Sequence, residues 1–274
     1  MIKKVFRLFL RVLAHVITSF IYFFSGFYPR NDNIVMFGCW EGKYFRGNAK
    51  YQYLFFRDNY PNIQSIWQTK NYDLYIKLRQ KEVNSCYAYS LKGIILTLKA
   101  KYFVVTHGIR DVNEYFSRKG ILINLEHTTY PIKSLLMDPP SESIIKKIHR
   151  YLVNPYGYLI KPDYAITSSQ FTTISTQTHF KIDTKKIIPL GKPKSDILFL
   201  NINGGDNSFE DNECQKYFDA NKISILFLPT SRSNASFNDS IKKINSSIIK
   251  KYTNLMLKNN NFNEGSLADG RNYF

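Results

Sequence analysis

The chain has 274 residues, enough for one large domain or two modest ones, and its 38 Lys and Arg against 21 Asp and Glu give a formal charge of +17. Apolar residues make up 44% of the sequence, which is sufficient for a packed core and excludes a largely disordered basic chain. Cys39, Cys86 and Cys214 lie far apart and form no CxxC pair, which argues against a structural zinc site and a disulfide scaffold. The charge predicts a polyanionic partner: nucleic acid, anionic lipid or a phosphate-rich substrate.

The N-terminal segment is basic and then apolar. No acidic residue precedes Asp32, and the apolar stretch Val12–Tyr28 is slightly shorter than the roughly 20 residues of a full membrane span. The cations before it are Lys3, Lys4, Arg7 and Arg11. We expect residues 1–30 to form a helix on the cytoplasmic face of the cell membrane, held by its cations on anionic lipid. A true span and a buried packing helix are the alternatives.

Short apolar runs alternate with helix-like segments over residues 31–200, a pattern typical of βαβ units. The predicted strands are Ile34–Phe37, Asn62–Trp67, Tyr102–Thr106, Ile121–Leu125, Tyr164–Thr167 and Ile187–Leu190. The predicted helices are Ala49–Asp58 and Leu91–Lys99. The sequence therefore predicts an α/β domain around a parallel sheet.

Residues 201–220 are rich in Asn, Gly and acidic residues, which is typical of a linker. After them, Ile223–Leu228 is a clear buried-strand run, and roughly Asp239–Leu257 is predicted to be a helix. One strand and one helix cannot cover both faces of a parallel sheet. Residues 221–274 are therefore predicted to begin a second domain without completing it.

Two histidines are predicted at the carboxyl ends of strands, where open α/β sheets bind ligands. His107 ends the strand Tyr102–Thr106, and His127 follows Ile121–Leu125, whereas His149 and His179 do not occupy such positions. Histidine can accept a proton at cytoplasmic pH, so these two are candidates for a general base. A hydrogen-bonded structural histidine is the alternative.

Basic loops follow several of the predicted strands. Lys43 lies in the glycine-bearing loop Gly38–Lys50, Gly191 and Lys194 lie in the turn after Ile187–Leu190, and Arg232 follows Ile223–Leu228. Glycine permits close backbone approach, and the cations can contact phosphate. This pattern favours a phosphorylated ligand over nucleic acid, because the sequence carries no zinc finger, helix-turn-helix or RNP motif.

Five segments resemble, in order, motifs of the CDP-glycerol glycerophosphotransferase family, the teichoic-acid primases and polymerases. Phe37–Tyr44 is similar to F-x-S-x-x-G-K-x-Y, Asn48–Tyr51 to N-x-K-x-x-Y, Lys119–Lys133 to the strand and W-H-G-T-P-L-K motif, Ile188–Asp196 to G-x-P-R-x-D, and Leu226–Arg232 to Y-A-P-T-W-R. Glu126 stands at the family's tryptophan and Lys194 at its arginine. Neighbours on a strand face opposite ways, so Glu126 need not orient His127.

The resemblance implies a fold of two Rossmann-like domains of the GT-B type, with the acceptor side at 31–200 and the nucleotide side begun at 221. It implies CDP-glycerol as the donor substrate, no cofactor or metal, and a lipid-linked teichoic-acid or capsule polymer as acceptor. It further implies that His127 is the general base on the acceptor hydroxyl, which attacks the β-phosphate so that CMP leaves. The substrate-binding positions that it implies are Lys43, Lys133, Gly191, Lys194 and Arg232.

The family's second histidine and nucleotide-binding serines have no counterpart in residues 233–274. We therefore expect a C-terminally truncated chain without independent catalysis. The alternatives are a non-catalytic fragment that binds membrane and acceptor, a GT-B glycosyltransferase that uses a sugar nucleotide, and a basic nucleic-acid binder. Among the polyanionic partners that the charge allows, nucleic acid is the least expected.

Overall fold

The computed structural model of the chain describes residues 2–127, 144, 160–200, 223–227 and 253–257. The chain divides into two compact units, residues 1–205 and 206–274. The described part of the first unit is an α/β fold, and that of the second is a pair of strands.

The first unit is built on a seven-stranded sheet in which all strands run parallel. In chain order these are β1 (Asn31–Phe37), β2 (Gln64–Thr69), β3 (Ser85–Tyr87), β4 (Ala100–Val105), β5 (Ile121–Asn124), β6 (Tyr164–Thr167) and β7 (Ile187–Pro189). Their spatial order is β3-β2-β1-β4-β5-β6-β7. The chain thus reverses its winding between β1 and β4, and such a switch point opens a crevice at the carboxyl ends of the strands.

Helices lie before, between and after the strands of this sheet. They are α1 (Ile2–Ser25), α2 (Gly47–Asn59), α3 (Tyr72–Gln80), α4 (Leu91–Lys99), α5 (Gln170–Phe180) and α6 (Pro193–Leu200). Side chains cap the starts of three of them, since Asn71, Ser90 and Ser169 each accept a hydrogen bond from a backbone N–H of the first turn. The predicted α/β class with a parallel sheet is confirmed.

The core lies on the central strands. Met36 and Phe37 of β1, Ile66 of β2, and Phe103 and Val105 of β4 are all fully buried. Strands covered on both faces read as continuous apolar runs, and this is why the sequence predicts them well. The six strands predicted for this unit are confirmed with small shifts at their ends.

Four elements of the first unit are absent from the sequence-based prediction: α3, β3, α5 and α6, the last of which begins in the predicted turn after Ile187–Leu190. β3 has only three residues. α5 is rich in Ser and Thr, which have modest helix propensity, and its start depends on a capping box between Ser169 and Thr172. His179 therefore lies on a helix, in agreement with the expectation that it does not follow a strand.

The described part of the second unit is a parallel pair, β8 (Ile223–Phe227) and β9 (Thr253–Leu257). The predicted strand Ile223–Leu228 is confirmed. The predicted helix Asp239–Leu257 is wrong at its end, because residues 253–257 form β9, where pairing with β8 overrides the helix propensity of leucine and methionine. The rest of that segment and the predicted linker 201–220 lie outside the described residues.

α1 carries many exposed apolar side chains. Phe20, Phe24 and the following Phe27 are each at least 60% exposed. Within the first unit, the helix packs against the short turn Glu114–Phe116. Within the described parts of the chain, no helix combines the length and apolar character that crossing a membrane requires.

Arg30, immediately before β1, joins the start of that strand to the segments around residues 97–100 and 116–118. Its Nη1 donates to the carbonyl oxygens of Thr97 (2.6 Å) and Ala100 (3.1 Å), at the junction of α4 and β4. Its Nη2 donates to the carbonyl oxygens of Phe116 (2.9 Å) and Arg118. Desolvation lowers the pKa of Arg30 to about 10, so the guanidinium stays charged at neutral pH.

We predict that Arg30→Met lowers the free energy of unfolding by about 1–3 kcal/mol, because it leaves several carbonyl groups without their donor. Urea unfolding followed by circular dichroism measures this loss. Arg57→Met is the matched control, since Arg57 pairs with Asp58 on the surface and surface ion pairs contribute little. Equal losses in the two variants would contradict the anchoring role of Arg30.

Candidate functional site

Three loops meet at the carboxyl edge of the sheet, beside the switch point. They follow β1, β4 and β5 and begin at Gly38, Thr106 and Leu125, respectively. Gly38 permits this approach, because a Cβ atom there would lie 2.3 Å from the carbonyl oxygen of Asp111. The loops bring Trp40, His107 and His127 into contact.

The two imidazoles form a stack. The ring centroids of His107 and His127 are 4.1 Å apart and the rings are inclined by only 13°. Trp40 lies 4.5 Å from His107 and 6.0 Å from His127, between ring centroids. Arg46 covers Trp40, with its guanidinium carbon 4.5 Å from the ring centroid. The site thus combines two titratable rings, one indole and one cation.

A buried carboxylate fixes two of the loops. Asp111 accepts hydrogen bonds from the backbone N–H groups of Thr106 and His107, both at 2.8 Å, and from that of Glu41 at 2.7 Å. Burial alone would raise the pKa of Asp111, but the hydrogen bonds and charge of His107, with the Glu41 N–H, outweigh it and hold the pKa below its usual range. Asp111 is therefore an ionised anchor that joins the loops after β1 and β4.

His127 is neutral at physiological pH. Desolvation lowers its pKa to about 4, with further lowering by the neighbouring charges of His107, Lys194 and His179 and an opposing effect of Asp111. The ring nevertheless keeps contact with solvent. It can therefore accept a proton from an arriving ligand.

The third loop is held by a buried ion pair. Lys192 donates to the carboxylate of Glu126 (3.2 Å) and to the carbonyl oxygens of Leu125 (2.8 Å) and Ile166 (2.6 Å). Glu126 also accepts from the Thr176 hydroxyl at 2.9 Å. Its carboxylate thus points into the unit and pairs with Lys192, so it does not orient the His127 imidazole. Desolvation lowers the pKa of Lys192, although Glu126 acts in the opposite direction.

Asn48, at the start of α2, links the same loop to α6. Its amide nitrogen donates to the carbonyl oxygen of Glu126 at 2.5 Å, and its amide oxygen accepts from the backbone N–H of Lys194 at 3.2 Å. Gly191 has φ +94°, a conformation that favours glycine, and its N–H donates to the Thr167 carbonyl. These bonds set the position of Lys194 near His127.

The profile of the family described as CDP-Glycerol:Poly(glycerophosphate) glycerophosphotransferase matches residues 20–263. The chain belongs to this glycerophosphotransferase family. The family resemblance seen in the sequence motifs is thereby confirmed.

Two curated relatives are teichoic acid poly(glycerol phosphate) polymerases. That of Bacillus spizizenii is 26% identical over 238 residues, which are 83% of this chain and 57% of the relative. That of Staphylococcus epidermidis is 25% identical over 218 residues, which are 74% of this chain and 28% of the relative. The glycerophosphotransferase-family chain thus spans little more than half of the first relative and a smaller share of the second.

Solved structures agree with the fold. The wall teichoic acid polymerase TagF superposes with a TM-score of 0.67 at 18% identity, covering 98% of this chain and 69% of TagF. A TagF variant with one histidine replaced by asparagine, in a structure with CDPG, superposes with a TM-score of 0.59 at 18% identity. The match covers 92% of this chain and 64% of the TagF variant. At this identity the likeness concerns the fold.

The structure brings some of the residues predicted from the sequence together and keeps others apart. His127, Gly191 and Lys194 lie on adjoining loops, and Lys194 is close enough to His127 to affect its charge. Lys43 is exposed and pairs with Glu41 at 3.1 Å. Lys133 and Arg232 lie outside the described residues.

Sequence reasoning on this glycerophosphotransferase-family chain missed Trp40, Asn48, Asp111 and Lys192 as parts of the site. The partners of Asn48 and Lys192 are separated from them by 26 to 146 positions along the chain, so no local pattern reveals them. Asp111 follows His107 by four residues, and this spacing is the one local signal available. Among the described residues, no group of three His, Cys, Asp or Glu side chains is arranged to hold a metal ion.

We predict that Lys192→Met lowers the free energy of unfolding by about 3–5 kcal/mol, because it leaves the Glu126 carboxylate buried without its partner. The double variant Lys192→Met/Glu126→Leu should recover part of this loss, since it removes both charges. Denaturant unfolding of these two variants and of Glu126→Leu gives the coupling free energy between Lys192 and Glu126. Strictly additive losses would contradict the ion pair.

Proposed function

We propose that the chain transfers glycerol phosphate from CDP-glycerol to a lipid-linked teichoic-acid or capsule polymer. The observation that carries this proposal is the exposed, neutral His127 imidazole at the carboxyl edge of the sheet, in a chain of the glycerophosphotransferase family. The presence of CDPG in a TagF structure supports CDP-glycerol as the donor. The relatives' description as poly(glycerol phosphate) polymerases supports the acceptor class.

In the proposed reaction, His127 accepts the proton of the acceptor's terminal hydroxyl group. The oxygen then forms a bond to the β-phosphorus of CDP-glycerol, and the bond from that phosphorus to the CMP oxygen breaks. CMP leaves with the electron pair, and the imidazolium returns its proton to solvent. A positioned base accounts for roughly 10²–10⁴-fold of the rate.

Cations are required to balance the charge that develops on the transferred phosphate. Lys194 is the described candidate, because Asn48 holds its backbone and its charge acts on His127. Lys133 and Arg232 remain predicted phosphate contacts from the family motifs. Lys43 is a weaker candidate, since Glu41 already neutralises its charge.

We predict that His127→Ala lowers the rate of CMP release from CDP-glycerol by about 10²–10⁴-fold. The measurement uses the full chain with a glycerol-phosphate lipid acceptor and follows CMP by chromatography. Because the acid form of His127 cannot accept a proton, the rate of the unsubstituted chain should fall as the pH drops through about 4.

Arg57→Met is the control, because Arg57 pairs with Asp58 on the surface at the far end of α2 from Asn48, and it should retain the full rate. An unchanged rate in His127→Ala would contradict the role of His127. Release of UDP from a UDP-sugar in place of CMP from CDP-glycerol would favour a sugar-nucleotide glycosyltransferase.

We further propose that α1 binds the cytoplasmic face of the cell membrane. Its exposed phenylalanines border an apolar pocket of about 710 Å³, which Leu98 and Phe116 also line. Arg118 lies 4.8 Å from the Phe23 ring centroid, and Lys119 lies 5.8 Å from that of Phe27. Apolar side chains bordered by cations suit an anionic lipid surface.

We predict that the chain floats with phosphatidylglycerol vesicles and much less with phosphatidylcholine vesicles, and that salt weakens the binding. Phe20→Ser/Phe24→Ser should reduce binding at least about tenfold, because burying one Phe contributes about 1.5–3 kcal/mol. Phe171→Ser, an exposed position on α5, is the control. Equal effects of the two substitutions would contradict a membrane role for α1.

A further inference from the structure

His107 is a second imidazole in the site, and the proposed transfer does not use it. Its ring lies between Trp40, at 4.5 Å, and His127, at 4.1 Å between centroids. Its side chain is 26% exposed. The two rings are inclined by only 13°, so the His107 ring blocks any tilt of the His127 ring toward it.

Hydrogen bonds define which nitrogen of His107 carries the proton. The ionised Asp111 carboxylate can only accept, so the Thr106 hydroxyl, 3.1 Å away, donates to it. The same hydroxyl oxygen lies 2.9 Å from Nδ1 of His107 and must then accept from it. The chain Asp111–Thr106–His107 therefore places a proton on Nδ1.

The stack also restricts the charge of the pair. Two imidazolium rings at 4.1 Å repel each other, which makes the second protonation roughly a thousandfold less favourable than the first. Other charged groups act on His127 from neighbouring elements: Lys194 on α6 and His179 on α5 disfavour its protonation, whereas Asp111 favours it. Among these charged groups, His107 and Lys194 thus act on His127 in the same direction, against its protonation.

We propose that His107 is a positioning residue for His127: its ring, locked by Thr106 and Asp111, stacks on the His127 imidazole and holds that ring open to the acceptor. This inference rests on the proposed function for the identity of the reaction. The geometry of the pair stands on its own contacts. It assigns His107 no bond to a substrate.

The test is a histidine NMR titration of the full chain and of two variants. In His107→Phe, the ring face is retained and the charge is lost. In His107→Ala, both are lost and the site opens to water. The midpoint of His127, at a pKa of about 4 in the unsubstituted chain, should rise in the Phe variant and rise further, toward its ordinary value, in the Ala variant.

The ring nitrogen shifts of His107 in the same spectra report its tautomer, and we expect the proton on Nδ1. A proton on Nε2 would overturn the proposed lock. An unchanged His127 midpoint in a folded His107→Ala chain would overturn the positioning role. Since His107→Phe preserves the packing, it decides the question if the Ala variant does not fold.

CMP release separates this inference from the proposed function. We expect kcat to fall about 10–100-fold in His107→Ala with the KM for CDP-glycerol nearly unchanged, and much less in His107→Phe. If the unsubstituted chain releases no CMP while the His127 midpoint shifts as expected, the proposed function fails and the pairing stands. If CMP is released and the His107→Ala rate is unchanged, the positioning role fails alone.

Discussion

The buried carboxylate of Asp111 is the constraint on which the site depends. It is fully buried and receives three backbone N–H groups, one from the loop after β1 and two from the loop after β4. These two strands flank the switch point of the sheet. Because a buried carboxylate requires its donors, the two loops cannot separate without exposing or neutralising it. Trp40 and His107 are therefore held together by a buried anion that lies between their loops.

The positive charge of the chain has several different uses. Lys192 is buried and neutralised by Glu126, and Arg30 is a structural donor to backbone carbonyl groups. Lys43 is paired with Glu41 on the surface. A cation at the end of a strand is thus not by itself a phosphate ligand, and Lys194 is the one of the described candidates that lies beside the histidine stack. Counting charge in the sequence overstates the number of binding residues.

The sequence predicts the parallel sheet because buried strands are continuous apolar runs, and the chain order of these runs indicates βαβ connections. It does not reveal α5, whose many Ser and Thr residues mask a helix that starts at the Ser169 capping box. It also places Thr253–Leu257 in a helix, since the preference of these residues for pairing with β8 depends on a segment 30 positions earlier. Local preference fails where a distant partner decides the structure.

The candidate site likewise depends on distant partners that local sequence patterns do not reveal. The carboxyl ends of β4 and β5 can be inferred from the sequence, so His107 and His127 are found as candidates one by one. Their stacking requires that β4 and β5 be neighbours in register, with Val105 opposite Asn124, and that Asp111 and Lys192 fix the two loops. The Glu126–Lys192 pair shows this most clearly, since Glu126 stands where the family has tryptophan. The loop that carries His127 is held in this chain by the charge pair between Glu126 and Lys192, so the position of the base depends on residues that the motifs do not specify.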